Sequence, residues 1–469
     1  MDGRLQVVVA RPEAGYPLQA VEYATGRKLV PLIGTRSEVE RAIETLYGQG
    51  RSAMGALVEQ FESLDGPESV DHLKDLASEA PVIRLVNLIL QRAMELRASD
   101  VHIEPFENQL NVRYRVDGLL REAESPPVRS AAAVVSRIKI MARLDIAERR
   151  LPQDGRIALR LGGRQVDLRV STLPTSFGES VVLRILDRES VNLDFVQLGF
   201  SGSYLERLLS ALEQPDGIFL VTGPTGSGKT TTLYTALARL NIPQRKIITV
   251  EDPVEYQLEG INQLQVKPAI GLDFASALRS IVRQDPDVIM IGEIRDLETC
   301  RIAIQSALTG HLVLSTLHTN SACASITRLL DMGAESYLLA STVNGVLAQR
   351  LLRRLDPATR EAFEVPEALV RQYRLDRYTS ERPIRLYRPR PDAAGDGYQG
   401  RVVVSELLLM SERIRALVME RADSNALERI ARQEGLGTLH EDGLRLALEG
   451  VTSLDEVLRV TGDDGKESA

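Results

Sequence analysis

Apolar and polar positions alternate along the chain with two different periods, which divides it into regions. Between residues 80 and 96, in "APVIRLVNLILQRAMEL", apolar residues recur every three to four positions, which predicts an amphipathic helix. From residue 99 the period becomes two, in "SDVHIEPFENQLNVRYRVDGLLREAE", with turn residues at "FENQ" and "DG". This predicts a meander of half-buried strands. With the helical segment "PVRSAAAVVSRIKIMARLD" and further strands, the region indicates an α+β domain.

From about residue 200, short apolar strands alternate with amphipathic helices, a pattern typical of a wound α/β domain with a mainly parallel sheet. The segment after about 350 is basic, rich in proline and irregular, and the chain is mostly helical from Val402. We therefore predict a small N-terminal module over 1–78, an α+β domain over 79–190 and an α/β domain over 191–469. The last domain carries an insertion at about 352–400 and a helical C-terminus.

Composition narrows the range of functions. The net charge of -8, a 4% aromatic share and the lack of tryptophan argue against a nucleic-acid partner. The longest apolar runs, such as "VNLIL" and "IFLV", fall far short of the roughly 18 residues of a membrane span. The N-terminus is unlike a signal peptide. Cys300 and Cys323 each lie on an apolar helical stripe, so we expect two buried core residues and a protein of the reducing cytoplasm.

The stretch "TGPTGSGKTTTLY" at 222–234 carries the chemistry that identifies a ligand class. Gly223, Gly228, Lys229 and Thr230 fit the P-loop pattern, with an apolar strand before it and a helix after it. In that setting, backbone N–H groups at the helix N-terminus bind phosphate oxygens, the lysine reaches the β- and γ-phosphates, and the threonine hydroxyl reaches Mg²⁺. The predicted ATP-binding residues are Gly223, Pro224, Thr225, Gly226, Ser227, Gly228, Lys229, Thr230 and Thr231.

Three further strands end in reactive side chains. "KIITVEDPVEY" delivers Glu251, Asp252 and Glu255, "DVIMIGEIRD" delivers Glu293, and "HLVLSTLHTN" delivers His318. Ligands bind outside the carboxyl ends of strands in open parallel sheets, so we expect these residues and the P-loop to share one crevice.

Glu293 is then placed to polarise the attacking water or to hold Mg²⁺ through a water molecule. The preceding residue is Gly292 rather than the usual aspartate, which weakens the case for direct metal ligation by this strand.

Each of these residues has a plainer alternative. Glu251, Asp252 and Glu255 can also be helix-capping or surface carboxylates, and His311 can be a hydrogen-bonded structural residue. His318, at the end of its strand, is better placed to sense the γ-phosphate.

Together the four motifs resemble the secretion ATPase superfamily, and the resemblance covers the chain from about residue 80 to its end. "GPTGSGKT" matches its Walker A motif, "ITVEDPVEY" its Asp box, "IMIGEIRD" its Walker B motif and "TGHLVLSTLHTN" its His box. The stretch beginning "LDIAERRLPQDGR" is similar to the type II secretion branch and to pilus-assembly ATPases. The resemblance implies a RecA-like ATPase domain preceded by a PAS-like α+β domain.

Members of this family form hexamers in which one subunit's α+β domain lends arginines to a neighbour's site. By that resemblance Arg169 in "VDLRVST" and Arg184 in "VVLRIL" would contact the γ-phosphate; without it, Arg184 is an ordinary strand residue. The implied function is ATP hydrolysis that drives pseudopilus assembly and type II secretion, at the cytoplasmic side of the inner membrane. The implied partners are a bitopic inner-membrane protein, docking on residues 1–78, and a polytopic platform protein.

Other functions stay open at this stage. A type IV pilus assembly ATPase would use the same chemistry, a DNA-translocating ATPase would be stimulated by DNA, and a nucleotide-binding adaptor would not turn over.

The insertion departs from the family pattern. Extension ATPases of this kind usually carry two C-x-x-C pairs that bind zinc, whereas this insertion keeps Gly397, Tyr398, Gly400 and Arg401 but has no cysteine. A Cys₄ zinc site is therefore impossible, and zinc is not expected. Either zinc is dispensable in this branch, or the insertion is partly degenerate; both explanations remain open.

Overall fold

The computed structural model describes residues 5–9, 28–34, 70–123, 126–161, 164–187, 193–393 and 396–462. They divide into two units, one ending at Leu186 and the other beginning at Asp187. Most of the predicted module 1–78 and the predicted border at 190 lie outside the described residues, so the domain boundaries stay predictions.

The first unit contains a two-stranded parallel sheet and a six-stranded sheet of order β5-β4-β3-β8-β7-β6. Its strands are β1 (Leu5–Val9), β2 (Leu29–Ile33), β3 (Asp100–Pro105), β4 (Leu110–Val116), β5 (Leu119–Glu122), β6 (Gln153–Leu161), β7 (Arg164–Thr175) and β8 (Gly178–Asp187). Its helices are α1 (Val70–Ser78), α2 (Ala80–Glu95) and α3 (Ala131–Ala142), with a 3₁₀ turn at Val128–Ser130.

The predicted periodicities explain how this unit packs. The apolar stripe of α2 is buried, including Val82, Leu85 and Ile89. Every second residue of β4 is also buried, and the two sets belong to one apolar cluster. One face of the larger sheet therefore forms the core, while the other carries charged side chains such as Arg113 and Arg184. The predicted helix and strand meander of this region are confirmed.

The second unit is built on a seven-stranded sheet of order β11-β10-β12-β13-β9-β14-β17. Its strands are β9 (Gly217–Thr222), β10 (Ile247–Glu251), β11 (Asn262–Gln265), β12 (Val288–Ile291), β13 (Leu312–Leu317), β14 (Val343–Leu355) and β17 (Tyr398–Leu409). All neighbouring pairs are parallel except β14 with β17, which confirms the predicted mainly parallel sheet.

Helices and smaller elements complete the second unit. The first helices are α4 (Phe195–Leu198), α5 (Gly202–Leu212), α6 (Lys229–Leu240), α7 (Phe274–Ile281), α8 (Leu297–Leu308), α9 (Ala322–Asp331) and α10 (Ser336–Thr342). The insertion holds the antiparallel pair β15 (Arg360–Glu364) and β16 (Arg385–Pro389) together with α11 (Glu367–Gln372). The C-terminal helices are α12 (Glu412–Met419), α13 (Ser424–Gln433), α14 (Leu439–Leu448) and α15 (Leu454–Thr461). Short 3₁₀ turns lie at Pro268–Ile270 and Leu375–Arg377.

The central strands are buried on both faces, as their largely apolar sequences predict. Every residue of β9, β10, β12 and β13 is buried, and a separate apolar cluster covers each face of the sheet. Cys300 and Cys323 lie in one of these clusters, which confirms their predicted place in the core. Because these four strands run in the same direction, their carboxyl ends open onto one edge of the sheet.

No helix within the described residues is both long and apolar enough to cross a lipid bilayer.

Candidate nucleotide-binding site

The P-loop bends sharply between β9 and α6, and its glycines are what the bend requires. Gly223 and Gly228 have φ values of +151° and +87°, a region that residues with a side chain rarely adopt. A Cβ atom on Gly223 would lie 2.5 Å from the carbonyl oxygen of Gln349 on β14. The loop is therefore pressed against the neighbouring strand, and Pro224, Thr225 and Gly226 form its exposed tip.

Lys229 is held inside the loop that precedes it. Its Nζ atom donates hydrogen bonds to the carbonyl oxygens of Gly223, at 2.8 Å, and of Pro224, at 3.1 Å. The pKa of Lys229 is lowered to about 8: burial is the main cause, the carboxylate of Glu293 acts in the opposite direction, and the charge of Arg350 adds a smaller decrease. The ammonium group is thus fixed where α6 begins, with a charge that an anion would stabilise.

The carboxylate of Glu293 lies just past β12 and is engaged from two sides. One oxygen forms an ion pair with Arg295, and the other lies 3.6 Å from Nε2 of His318. The preceding Gly292 sits where β10 and β12 approach closely, since a Cβ atom there would lie 3.3 Å from the carbonyl oxygen of Val250. This close approach gives a packing reason for glycine in place of the expected aspartate.

His318 follows β13 and stays half exposed, with 50% of its side chain accessible. Burial lowers the pKa of His318, and so does the nearby charge of Lys229, while Glu293 acts in the opposite direction. The imidazole is therefore neutral at pH 7. Lys229, Glu293 and His318, from three strand ends, lie within electrostatic reach of one another, as the sequence predicted.

The loop that carries His318 is fixed by its neighbours. The backbone N–H of Thr319 donates to the Thr222 hydroxyl at 2.9 Å, and the Thr319 hydroxyl lies 2.7 Å from those of both Thr222 and Ser325. The last residue of β9 therefore anchors the His318 loop directly beside the P-loop.

The three acidic residues after β10 lie in different surroundings. Glu251 is 3% exposed and accepts hydrogen bonds from the hydroxyl of Tyr234, from Thr249 Oγ1 at 2.5 Å and from Gln263 Nε2 at 3.1 Å. Its carboxylate is thus occupied by buried donors, which fits a structural role better than a catalytic one.

Asp252 and Glu255 are more accessible than Glu251. Asp252 is exposed. The pKa of Arg295 is raised chiefly by its hydrogen bond with Glu293, and the charge of Asp252 adds a smaller increase. Glu255 is partly buried, and its backbone N–H donates to the Tyr234 hydroxyl at 3.4 Å.

His311 lies at the opposite end of β13 from His318. Its Nδ1 is 2.8 Å from the carbonyl oxygen of Ser306, at the end of α8. The contact supports the structural interpretation of this residue.

The two predicted arginine fingers belong to the first unit. Arg184 on β8 pairs with Asp100 on β3 at 3.0 Å, and its side chain is 52% exposed. Arg169 lies on β7 opposite Arg156 of β6. Their contact with a nucleotide stays a prediction.

The chain offers oxygen donors of the kind that Mg²⁺ prefers. The Thr230 hydroxyl lies in the first turn of α6, where it is partly exposed, and Glu293 provides a carboxylate. Among the described side chains, no cluster of three or more His, Cys, Asp or Glu residues is arranged to hold a metal ion. These donors fit a magnesium ion that keeps most of its ligands from nucleotide and water.

Aromatic and ionic contacts join the insertion to the rest of the second unit. The guanidinium of Arg353 lies 4.0 Å from the centre of the Tyr398 ring and pairs with Asp396 at 2.8 Å and with the buried Glu456 at 2.9 Å. Tyr398 in turn contacts the Ser453 hydroxyl at 2.6 Å. The insertion's apolar residues join those of α14 and α15 in one cluster.

Sequence motifs did not reveal two residues on β14 that contact the P-loop and the loop that carries His318. Gln349 donates from Nε2 to the carbonyl oxygen of Ser227 at 2.7 Å, and Arg350 donates to the carbonyl oxygen of Asn320 at 3.1 Å. The sequence signal is a pair of polar residues inside the otherwise apolar "GVLAQRLL" at 345–352.

The chain is similar in sequence to known secretion proteins. The family model described as "Type II/IV secretion system protein" matches residues 75–459. The chain is 62% identical over 464 residues to the type II secretion system protein E of Xanthomonas campestris pv. campestris, covering 98% of this chain and 82% of the relative. It is 48% identical over 438 residues to the type II secretion system ATPase E of Vibrio cholerae, covering 91% and 86%.

Solved structures support the fold class. The pilus retraction motor PilT with bound ADP is 27% identical, with a TM-score of 0.56, and the match covers 81% of this chain and 98% of that one. The Legionella pneumophila ATPase DotB is 21% identical, with a TM-score of 0.59 and coverage of 80% and 94%. This likeness confirms the predicted RecA-like fold class.

Proposed function

Because this chain belongs to the type II/IV secretion system protein family and is an ATP-hydrolysing enzyme of its type II secretion branch, we propose that it drives pseudopilus assembly as a hexamer. The reaction is ATP + H₂O to ADP + phosphate. One observation carries this proposal: Lys229, Glu293 and His318 come from separate strand ends and meet beside one P-loop.

The positions of the side chains support the following catalytic roles. The P-loop backbone N–H groups and Lys229 bind the phosphates, and Glu293 orients the attacking water and accepts its proton as the bond to the leaving ADP oxygen breaks. His318, neutral at pH 7, senses the γ-phosphate through a hydrogen bond. We assign Asp252 and Glu255 to the same site as further acidic residues, whereas Glu251 holds Tyr234 and Gln263 in place. When bound at Thr230 and near Glu293, Mg²⁺ supplies charge neutralisation on the phosphates.

Arg169 and Arg184 act, in this proposal, on the γ-phosphate across a subunit boundary. Family resemblance supports the assignment, and the exposed side chain of Arg184 supports it independently. A guanidinium that neutralises charge on the transferred phosphoryl group contributes about 10³–10⁵ in rate. A hexamer would therefore hydrolyse ATP much faster than a separated subunit.

The partners and the location follow from the system named in the relatives. We propose docking of residues 1–78 on a bitopic inner-membrane secretion protein, contact with a polytopic platform protein, and a cytoplasmic position at the inner membrane. The 62% identity to a type II secretion system protein E, over 98% of this chain, supports a role in secretion.

A hydrolysis assay tests the enzymatic proposal. We expect Glu293→Gln to retain nucleotide binding and to release phosphate at least about a hundredfold more slowly than the parent protein. The matched control is Glu420→Gln, which makes the same change at an exposed carboxylate just after α12. This variant should hydrolyse ATP at the parent rate. Equal rates for Glu293→Gln and the parent would contradict the assignment of Glu293.

A complementation assay tests the biological role. In a strain of the source bacterium that lacks this chain, the parent gene should restore secretion of exoproteins, and the Glu293→Gln gene should not. Restored surface pili without restored secretion would instead identify the chain as a pilus assembly ATPase.

A further inference from the structure

The strand β14 extends past the end of β9 and runs alongside the P-loop. The two strands are parallel, and Ala348 of β14 pairs with Thr222, the last residue of β9. The next residues of β14, Gln349 and Arg350, therefore lie level with the two loops that leave the sheet at this edge. Because consecutive strand residues point to opposite faces, the two side chains reach different neighbours.

Gln349 supports the P-loop. Its side chain is completely buried, and Nε2 donates to the carbonyl oxygen of Ser227 at 2.7 Å. A Cβ atom on Gly228 would lie 3.2 Å from the same Nε2, so the amide packs against the loop on its inner side. Ser227 immediately precedes the Gly228–Lys229 pair, so this hydrogen bond fixes the backbone from which the lysine projects.

Arg350 supports the loop that carries His318. Its guanidinium donates to two oxygens of Asn320: the backbone carbonyl oxygen at 3.1 Å and the side-chain Oδ1 at 3.3 Å. The neighbouring strand adds a second support, since Glu406 of β17, which pairs with Ala348, accepts a hydrogen bond from the backbone N–H of Ala322 at 2.9 Å. The segment between His318 and α9 is therefore held from the β14–β17 pair.

We propose that Gln349 and Arg350 are positioning residues for ATP hydrolysis, the first for the P-loop and the second for the His318 loop. This inference rests on the proposed roles of Lys229 and His318. Two adjacent residues of one strand thereby fix the separation between the lysine that binds phosphate and the imidazole that senses it. Neither side chain touches the nucleotide in this proposal; each acts through the backbone of a loop.

The two residues should affect different kinetic constants. Without the Gln349 donor, the Ser227 carbonyl is left buried and unpaired and the P-loop loses its shape, so nucleotide binding suffers. Without Arg350, the His318 loop loses two hydrogen bonds, while the P-loop keeps its hydrogen bond from Gln349. We therefore expect the chemical step to become slower.

The experiment compares purified full-length variants by steady-state phosphate release and by the affinity for a fluorescent ATP analogue. We expect Gln349→Leu, which keeps the volume but removes the donor, to raise KM and the analogue Kd about tenfold with a much smaller change in kcat. We expect Arg350→Ala to lower kcat about tenfold with Kd within about threefold of the parent, and Arg350→Lys to recover part of the loss. Arg354→Ala, on the same strand but exposed, is the control.

Melting midpoints separate positioning from folding. If Gln349→Leu melts at a lower temperature than the parent, Gln349→Met, which is unbranched, of similar size and without the N–H donor, replaces it. The proposal is overturned if the Gln349 variant and Arg350→Ala both behave like Arg354→Ala. It is also overturned if KM and kcat change together in each of these two variants. Failure of the proposed function is a separate result, because it would appear as unaltered hydrolysis by Glu293→Gln.

Discussion

The Nε2 atom of His318 lies 3.6 Å from a carboxylate oxygen of Glu293, so residues that follow two different strands meet within the field of Lys229. This arrangement places a carboxylate, an imidazole and an ammonium group at one edge of the sheet. Its protonation states decide how the site responds to pH and to nucleotide.

His318 should matter for turnover and only in its neutral form. Burial and the charge of Lys229 lower its pKa below the ordinary value of 6.5, so protonation begins only in more acidic solution. We expect His318→Asn to lower kcat about tenfold to a hundredfold with little change in nucleotide affinity, since one hydrogen bond to the phosphoryl group is lost. When phosphate release is measured from pH 5.5 to 8, the rate of the parent should decrease below pH 6.5 as His318 becomes protonated. The His318→Asn variant should lack this decrease. His311→Asn, at the other end of β13, is the control, and an equal effect from it would contradict the assignment.

Lys229 should take up a proton when nucleotide binds. Its pKa of about 8 means that the amine is mostly neutral at pH 8.5, whereas phosphate oxygens stabilise the charged form. We expect proton uptake that is small at pH 7, where the amine is already charged, and grows above pH 8. Titration calorimetry with Mg²⁺ and ADP, in buffers of different ionisation enthalpy, measures this quantity directly.

The control for this prediction is Lys229→Arg, whose side chain stays charged throughout. It should show binding heats with less buffer dependence than those of the parent. A parent protein with identical binding heats in all buffers at pH 8.5 would refute the lowered pKa.

Glu251 should contribute to stability more than to catalysis. Three donors point at its carboxylate, so Glu251→Gln sets an amide N–H₂ against at least one of them in a buried position. We expect the free energy of unfolding to fall by about 1–3 kcal/mol. Asp252→Asn, one residue further along and exposed, should melt as the parent does. Thermal melts followed by circular dichroism make the comparison, and equal midpoints for the two variants would contradict it.

The insertion should keep its stability without zinc. Arg353 is 11% exposed and pairs with the fully buried side chain of Glu456, so Arg353→Met leaves a buried carboxylate with less compensation. We expect a loss of about 3 kcal/mol from this change. Arg388→Met, which breaks an exposed ion pair with Glu361 in the same insertion, should cost at most about 1 kcal/mol.

A metal chelator provides the second half of that test. The melting midpoint of the parent should be the same with and without a strong zinc chelator. A chelator-induced decrease that added zinc reverses would show that a metal, rather than the arginine contacts, holds the insertion.

The fold of the second unit was accessible from the sequence because its strands are buried on both faces. Such strands have nearly continuous apolar sequences, and the residues that follow them lie at one edge of a parallel sheet. This reasoning correctly brought Lys229, Glu293 and His318 together. It could not tell that Glu251 is buried and hydrogen-bonded whereas Asp252 is exposed. The donors to Glu251 include Tyr234 and Gln263, which only the folded chain brings near.

Other features depend on strand pairing that no local pattern encodes. Gln349 supports the P-loop only because Ala348 pairs with Thr222, more than a hundred residues earlier. The arginines of the first unit are a different case, since their proposed target belongs to another subunit and no property of their own strands indicates it.

The burial of both cysteines makes this chain convenient for labelling. Cys300 and Cys323 are 2% and 1% exposed, and burial raises the pKa of their thiols to about 11 and about 12, so neither presents a thiolate to a maleimide at neutral pH. A cysteine introduced at an exposed site, such as Phe177 in the first unit or Tyr337 in the second, would react alone in an otherwise native protein. Fluorophores at such a pair of positions would report on distance changes during turnover without first removing the natural thiols.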